Sequence, residues 1–245
     1  MNQQRSLFLA SLALLLVPVL IWISGYHWQL NQDYSSFDYF LYIITQTSSA
    51  PIFAGISSFF FLCVLIYCCP KINWKLLLLV VLLILGGSQI LKEVLKISFK
   101  EARPYQHALI TQEEQLDSFF KKKRSERSVI VASINQGDMH TPQWLKKHWE
   151  HETGYSFPSG HTAFAASWLM IFVGFLSTNL NRRNGIVLSV VGTWTALMLV
   201  SRVRLGMHFP IDLFISCIML YILSSTLFFI LERYKYKICC LLKIK

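Results

Sequence analysis

The sequence predicts an all-α integral membrane protein, a bundle of six transmembrane helices with a long, partly helical external loop between helices three and four. The composition is 54% hydrophobic and only 15% charged, which is too apolar for a water-soluble domain of 245 residues. A helix needs roughly 20 mainly apolar residues to cross the hydrocarbon core of a bilayer. Six stretches meet this requirement: residues 6–26, 51–69, 76–99, 162–180, 185–201 and 213–231. We predict one domain over residues 1–245.

Basic residues in the short loops predict the orientation of this bundle. Lys and Arg are retained preferentially on the cytoplasmic side of a membrane. Ten of the 23 basic residues, but only one of the 13 acidic residues, fall on the side that carries both termini. These ten are Arg5, Lys71, Lys75, Arg182, Arg183, Arg233, Lys235, Lys237, Lys243 and Lys245. We therefore expect both termini in the cytoplasm. The net charge of +10 then reflects topology and anionic lipid, so no nucleic-acid partner is expected.

The first apolar stretch has features of a cleaved secretory signal, because Arg5 precedes it and Ser24 and Gly25 are small. Its apolar run is longer than the core of about 7–15 residues that such signals have, so we expect a retained helix.

The external loop, about residues 100–161, is longer than usual connections and is expected to have its own structure or a functional task. Within it, Thr141-Pro142 predicts the start of a short helix. Two tryptophans on one face of that helix, Trp144 and Trp149, predict that it rests at the membrane interface; a direct contact with substrate is the other interpretation.

The first polar cluster lies where the third span runs out into this loop. Lys96 stands inside an apolar span, where a charge is costly and indicates a functional site, unless it reaches the interface from the helix end. Arg103 supplies a planar fork suited to phosphate, and Pro104 fixes the chain as it leaves the helix.

The second cluster is Pro158-Ser159-Gly160-His161, directly before the fourth span. A helix N-terminus carries free backbone N–H groups and the positive end of a dipole, and therefore attracts anions. Ser159 can cap the helix and donate to a phosphate, while Gly160 lets the backbone approach a ligand.

The third cluster is Ser201-Arg202 followed by His208 and Asp212, at the start of the sixth span. Pro210 predicts that the helix begins nearby, so Asp212 falls in its first turn and can reach back to His208. A carboxylate on one ring nitrogen fixes the tautomer and leaves the other nitrogen free to attack.

All three clusters fall on the external face, under an orientation that was assigned from other residues. Together they bring three cationic side chains, two histidines and a carboxylate to one side of the membrane. Unrelated features would not be expected to coincide in this way. The combination predicts phosphoryl transfer without a metal ion, because cations can neutralise the phosphate oxygens.

The motifs Lys96-x6-Arg103-Pro104, Pro158-Ser159-Gly160-His161 and Ser201-Arg202-x5-His208-x3-Asp212 resemble the three-part signature of the type 2 phosphatidic acid phosphatase superfamily. The six-span layout with its long third loop is similar as well, so the resemblance covers nearly the whole chain. Residues 148–154 resemble in particular the bacterial phosphatidylglycerophosphatases of that superfamily.

By this resemblance His208 is the nucleophile that forms a phosphohistidine, and Asp212 orients it and balances its charge. His161 is the general acid that protonates the leaving oxygen, and later the base that activates water. The phosphate is held by Lys96, Arg103, Ser159, Gly160 and Arg202. Since attack needs neutral His208 while protonation of the leaving group needs protonated His161, activity is expected to be bell-shaped in pH.

Glu152 is a further candidate, because this acid stands shortly before the second motif and could tune His161 or a headgroup; an ordinary solvated loop residue is the other interpretation. The resemblance implies a phosphatase for the phosphomonoester or diphosphate of a membrane lipid, such as phosphatidylglycerol phosphate, undecaprenyl diphosphate or phosphatidic acid. Neither a metal ion nor a cofactor is expected. The expected location is the bacterial inner membrane, with the active site on the periplasmic side.

Two other functions stay open on the sequence alone. A non-catalytic transporter or binding protein for anionic lipids would explain the cations, but it gives no reason for a His-x3-Asp pair beside a second histidine. The related haloperoxidases hold vanadate in the same kind of site, but they are soluble proteins. The preferred lipid, the lipid access path, the structure of the loop and the oligomeric state are not predicted.

Overall fold

The computed structural model describes residues 2–49 and 51–241, and over this range the chain is helical, without β-strands. The α-helices are α1 (Gln3–Ile23), α2 (Ser36–Gln46), α3 (Ile52–Cys68), α4 (Trp74–Phe99), α5 (Pro104–Leu109), α6 (Glu113–Lys121), α7 (Arg124–Asn135), α8 (Gln143–His151), α9 (Gly160–Leu176), α10 (Arg182–Arg204) and α11 (Pro210–Leu241). The all-α prediction is confirmed. Four lysines used to predict the orientation have side chains outside the described part: Lys235, Lys237, Lys243 and Lys245.

Among the described residues, five helices are long and apolar enough to cross a membrane: α1, α4, α9, α10 and α11. Five of the six predicted spans therefore coincide with a helix that could cross a membrane. α3 is apolar but has 17 residues, which gives roughly 26 Å of helix against about 30 Å of hydrocarbon. Proline limits α3 at both ends, since Pro51 is its N-cap and Pro70 follows its C-cap.

α9 is the central helix, because α1, α4, α10 and α11 all pack against it and nearly all its side chains are buried. A helix that is apolar on every side needs such surroundings. Gly174 permits the closest approach, since a Cβ at this position would lie 2.1 Å from Cζ of Phe228 in α11. The first residue of α9 therefore stands at the middle of one end of the bundle.

Four helix termini meet at this end: the last turns of α4 and α10 and the first turns of α9 and α11. A tight turn joins α10 to α11, and in it Gly206 adopts a φ of +71°. A Cβ at Gly206 would also lie 2.5 Å from the ring of Trp28, so only glycine fits both the backbone and the space. This turn carries His208.

Helices α2 and α5–α8 form what we call the cap, which packs over this end of the bundle around a second apolar core. Trp149 of α8 is fully buried there, stacks on Tyr105 with 5.2 Å between ring centroids, and donates from Nε1 to the carbonyl of Leu205 at 3.0 Å. The prediction that α8 rests at the membrane interface is wrong for Trp149, because its ring packs inside the protein. α8 also begins one residue later than predicted, with Pro142 as its N-cap.

Candidate active site

His208 and Asp212 form a buried pair at the turn between α10 and α11. Asp212 lies in the first turn of α11, as predicted, and its Oδ2 is 3.1 Å from Nδ1 of His208. The same oxygen accepts the backbone N–H of Phe209 at 3.0 Å and the hydroxyl of Ser156. Three neighbours therefore fix the carboxylate, and the carboxylate fixes the imidazole.

Arg103 decides which nitrogen of His208 carries the proton. Its Nη1 lies 3.3 Å from Nε2 of His208. A guanidinium only donates hydrogen bonds, so Nε2 is the acceptor and the ring proton sits on Nδ1, where it is donated to Asp212. The nitrogen with the free lone pair is thus the one beside a cation.

The surroundings of His208 also keep its ring neutral. Burial lowers the pKa of His208 well below its ordinary value, and the positive charges of Arg103 and Arg202 lower it further. Neutral imidazole is the form that can act as a nucleophile.

Arg103 is itself held on three sides. It is the N-cap of α5, followed by Pro104 at the first helical position. Its Nε donates to the carbonyl of Gly154 at 2.9 Å, and its Nη1 is 3.3 Å from the carbonyl of Met207. Nη2 donates to Oε2 of Glu152 at 3.0 Å. The guanidinium is therefore buried and held in one orientation by protein groups.

Glu152 lies between two of the predicted site residues. Its Oε2 pairs with Arg103, and its Oε1 is 3.8 Å from Nε2 of His161. Burial raises the pKa of Glu152, but the charges of His161 and Arg103 outweigh burial and hold it below its usual range. Within residues 2–49 and 51–241, Nε2 of His161 has no hydrogen-bond partner. Glu152 is accordingly a charged neighbour of His161.

Ser159 caps α9 as predicted, since its Oγ accepts the backbone N–H of Thr162 at 3.4 Å. Its own N–H donates to Ser216 of α11 at 3.0 Å, which ties the start of α9 to the neighbouring helix. At Gly160 an added Cβ would lie 3.1 Å from Cδ of Lys92. Because Gly160 has no side chain, the aliphatic part of Lys92 can pack against the first turn of α9.

A cavity of about 720 Å³ joins these groups. Its polar end is lined by Lys96, Arg103, Glu152, His161 and His208, and it extends between α3 and α4 as far as Gly55 and Gly86. Lys96 donates from Nζ to the carbonyl of Tyr155 at 2.7 Å. A cationic, histidine-lined pocket thus continues into an apolar cleft in the bundle.

Arg202 lies behind this pocket, fully buried in the last turn of α10. Its carbonyl accepts the backbone N–H groups of Met207 and His208, at 3.0 and 3.1 Å. Its guanidinium contacts Thr45 of α2 and His148 of α8. Arg202 therefore connects the turn that carries His208 with the cap.

A model of the PAP2 superfamily matches residues 75–236, which include all three motifs. The chain belongs to the PAP2 superfamily. One relative, Phosphatidylglycerophosphatase B of Haemophilus influenzae, is 41% identical over 234 residues, which are 94% of this chain and 96% of that protein. Phosphatidylglycerophosphatase B of Escherichia coli K12 is 32% identical over 225 residues, 90% of this chain and 86% of that protein. The resemblance to this superfamily and to its bacterial phosphatidylglycerophosphatases is confirmed.

All nine residues predicted for the PAP2 site lie at one end of the bundle. They are Lys96, Arg103, Glu152, Ser159, Gly160, His161, Arg202, His208 and Asp212. Sequence reasoning missed Lys92, which lines the same cavity one helical turn before Lys96 and could have been found from that spacing. It also missed Ser156, Thr45 and His148, for which the motifs give no signal.

Proposed function

We propose that the protein is a lipid phosphate phosphatase whose substrate is phosphatidylglycerol phosphate. The observation that carries this proposal is the His208–Asp212 pair, which leaves Nε2 of His208 unprotonated at the cationic end of the cavity. The two relatives named above are both called Phosphatidylglycerophosphatase B, which supports the choice of substrate. Undecaprenyl diphosphate and phosphatidic acid offer the same terminal phosphate and are the other substrates to compare.

In the first half-reaction, a phosphate oxygen replaces Nε2 of His208 as the acceptor for Arg103, and Nε2 attacks phosphorus. The phosphorus–oxygen bond to the lipid breaks, and His161 transfers its proton to the leaving oxygen. Lys96, Arg103, Arg202 and the N–H groups at the start of α9 neutralise the charge on the phosphate oxygens. The product of this step is a phosphohistidine at position 208 and a free lipid alcohol.

In the second half-reaction, neutral His161 removes a proton from water and the resulting hydroxide attacks the phosphohistidine. The nitrogen–phosphorus bond breaks, inorganic phosphate leaves and Nε2 regains its lone pair. Asp212 stabilises the positive charge of the His208 ring while it is phosphorylated, since Oδ2 lies 3.1 Å from Nδ1.

The membrane arrangement is part of the same proposal. The chain is one membrane-embedded domain with six spans, formed by α3 and the five longer apolar helices. Both termini lie in the cytoplasm of a bacterium. The active site then faces the periplasm, and the lipid tail reaches it from the bilayer through the cleft between α3 and α4. Support comes from the cavity, which runs from the catalytic histidines to Gly55 and Gly86.

The test is release of inorganic phosphate from a panel of lipid phosphates by the purified protein in detergent, with a chelator present. We expect release from phosphatidylglycerol phosphate by the unmodified protein, none by His208→Ala, and an acid-labile phosphohistidine in rapidly quenched samples. Equal release by His208→Ala would refute the enzyme and favour the lipid-binding alternative. Loss of activity in chelator, restored by a divalent ion, would refute the metal-free mechanism.

A further inference from the structure

Two cap residues hold one end of the Arg202 guanidinium. Nη1 lies 3.3 Å from Oγ1 of Thr45 and 3.3 Å from Nε2 of His148. Thr45 and His148 belong to α2 and α8, and neither is part of the three motifs. All three side chains are buried, so water does not compete for these contacts.

The opposite edge of the same guanidinium is unoccupied. Among the residues that the structure describes, Nε and Nη2 of Arg202 have no hydrogen-bond partner, although both atoms are buried. Buried N–H donors normally find a partner. The Nε–Nη2 edge presents two parallel N–H groups, the geometry that binds two oxygens of a phosphate. One side of Arg202 is thus fastened, while the other carries two N–H donors without a partner among the described residues.

His148 can accept a hydrogen bond from Arg202 only while its ring is neutral. Burial, followed by the charge of Arg202, lowers the pKa of His148 to about 3. At neutral pH the ring is therefore uncharged, with Nε2 as the acceptor and the proton on Nδ1. Tyr42 packs edge-on against the ring, with 5.6 Å between the centroids. Thr45 is tied to α10 as well, because its Oγ1 is 2.7 Å from Oγ of Ser201.

We propose that His148 and Thr45 are positioning residues that fasten Nη1 of Arg202 and thereby aim its Nε–Nη2 edge at the phosphate in the transition state. This inference rests on the proposed phosphatase function. Arginine has many side-chain rotamers. Without these contacts, Arg202 would populate rotamers in which its Nε–Nη2 edge does not face the phosphate. The loss would fall on the rate of the chemical step, since the lipid tail binds elsewhere in the cavity.

The experiment compares His148→Leu, which removes the acceptor, with His148→Gln, which restores one, in the full-length protein. Misplacing a catalytic group is expected to lower kcat for phosphatidylglycerol phosphate by about 10- to 100-fold in His148→Leu, while KM changes by less than about 3-fold. His148→Gln should recover most of the rate. His151→Leu is the matched control on the same helix, because this histidine is exposed, and it should behave like the unmodified protein.

Equilibrium binding of vanadate gives a measurement that needs no turnover of a lipid. Vanadate resembles the transferring phosphoryl group, so its binding should weaken in His148→Leu by about the same factor as kcat falls. If the unmodified protein binds vanadate but releases no phosphate from any lipid, the proposed function fails while the positioning role is still tested. Unchanged vanadate binding and kcat in His148→Leu would overturn the positioning role alone.

A double-mutant cycle separates positioning from a general structural role. If His148 acts through Arg202, adding His148→Leu to Arg202→Ala should cause no further loss of kcat. A full further loss in that background would overturn the inference. Should His148→Leu fail to fold, Thr45→Val offers the same test with little change in volume, with an expected loss of about 3- to 10-fold that likewise disappears in Arg202→Ala.

Discussion

The end of the bundle and the cap above it contribute different kinds of residue to the site. The bundle helices and the turn between α10 and α11 supply most of the groups proposed to touch phosphate, such as His161, Arg202 and His208, while Arg103 stands at the N-cap of α5. The cap and the chain that follows α8 supply their partners, including His148, Thr45 and Glu152. The difference teaches that most of the proposed chemistry is placed on helix ends fixed by a large apolar core. Apart from Asp212, the contacts that orient these groups come from the smaller layer of the cap.

The largest effect should come from the bundle, through Asp212→Asn. The amide can donate to Nδ1 of His208, which would move the ring proton to Nε2 and remove the attacking lone pair. We expect kcat to fall by about 10⁴-fold, the scale on which the wrong histidine tautomer acts in other enzymes. Single-turnover phosphate release measures it. Ser156→Ala, which removes only one of the donors to Oδ2, is the control and should lose about 10-fold. Similar losses in both variants would contradict the tautomer argument.

The next effect should fall on the stability of the cap, through Trp149→Ala. This change removes a fully buried ring, its stack on Tyr105 and its hydrogen bond to the carbonyl of Leu205. A loss of about 3–5 kcal/mol in the free energy of unfolding is expected for such a truncation. Thermal unfolding in detergent measures it as a lower midpoint. Trp144→Ala, at a half-buried ring of the same helix, should lower the midpoint less; the reverse order would mean that α8 does not pack as described.

A smaller effect, on pH dependence, should follow from Glu152→Gln. The amide keeps an acceptor for Arg103 but removes the negative charge 3.8 Å from Nε2 of His161. Protonated His161 is then less favoured, so the basic limb of the kcat/KM profile should move to lower pH. The acid limb should stay well below pH 6.5, because burial and then Arg103 lower the pKa of His208. A full pH–rate profile tests both limbs, and an unmoved basic limb would leave Glu152 without a role in proton transfer.

The smallest effect should come from Gly160→Ala at the start of α9. The new methyl would lie 3.1 Å from Cδ of Lys92, a flexible side chain that can move aside. We expect a loss of about 2- to 5-fold in kcat, within the range of modest packing changes. The same substitution in a Lys92→Ala background should have no effect on kcat. A large loss in both backgrounds would show that the methyl obstructs the phosphate directly.

The sequence predicted the bundle end well and the cap poorly, for a physical reason. Lys96, His161 and Asp212 stand out because a charge beside a long apolar run is costly and needs an explanation. Apolar length also located the spans, although α3 is shorter than predicted. Thr45 lies among other polar residues in a short segment, where such residues are common. The resemblance of residues 148–154 includes His148 but gives it no role of its own.

Their roles depend on contacts between segments that are distant in the chain. Thr45 and His148 meet at Arg202, 157 and 54 residues away respectively. Trp149 shows the same limit, because an aromatic stripe looks alike whether it faces lipid or a protein core. Deciding between the two needs the positions of Tyr105 and Leu205, which short-range patterns do not give.

The contact between Arg103 and Nε2 of His208 has a consequence for selectivity. The lone pair of Nε2 is engaged by a guanidinium N–H, and His208 is almost completely buried. The positive charge of Arg103 disfavours the approach of cations and electrophiles to this nitrogen. An anion with several oxygens can replace Nε2 as the partner of Arg103 and expose the ring in the same step. Under the proposed function, the phosphate that is attacked is also the group that frees Nε2 of His208.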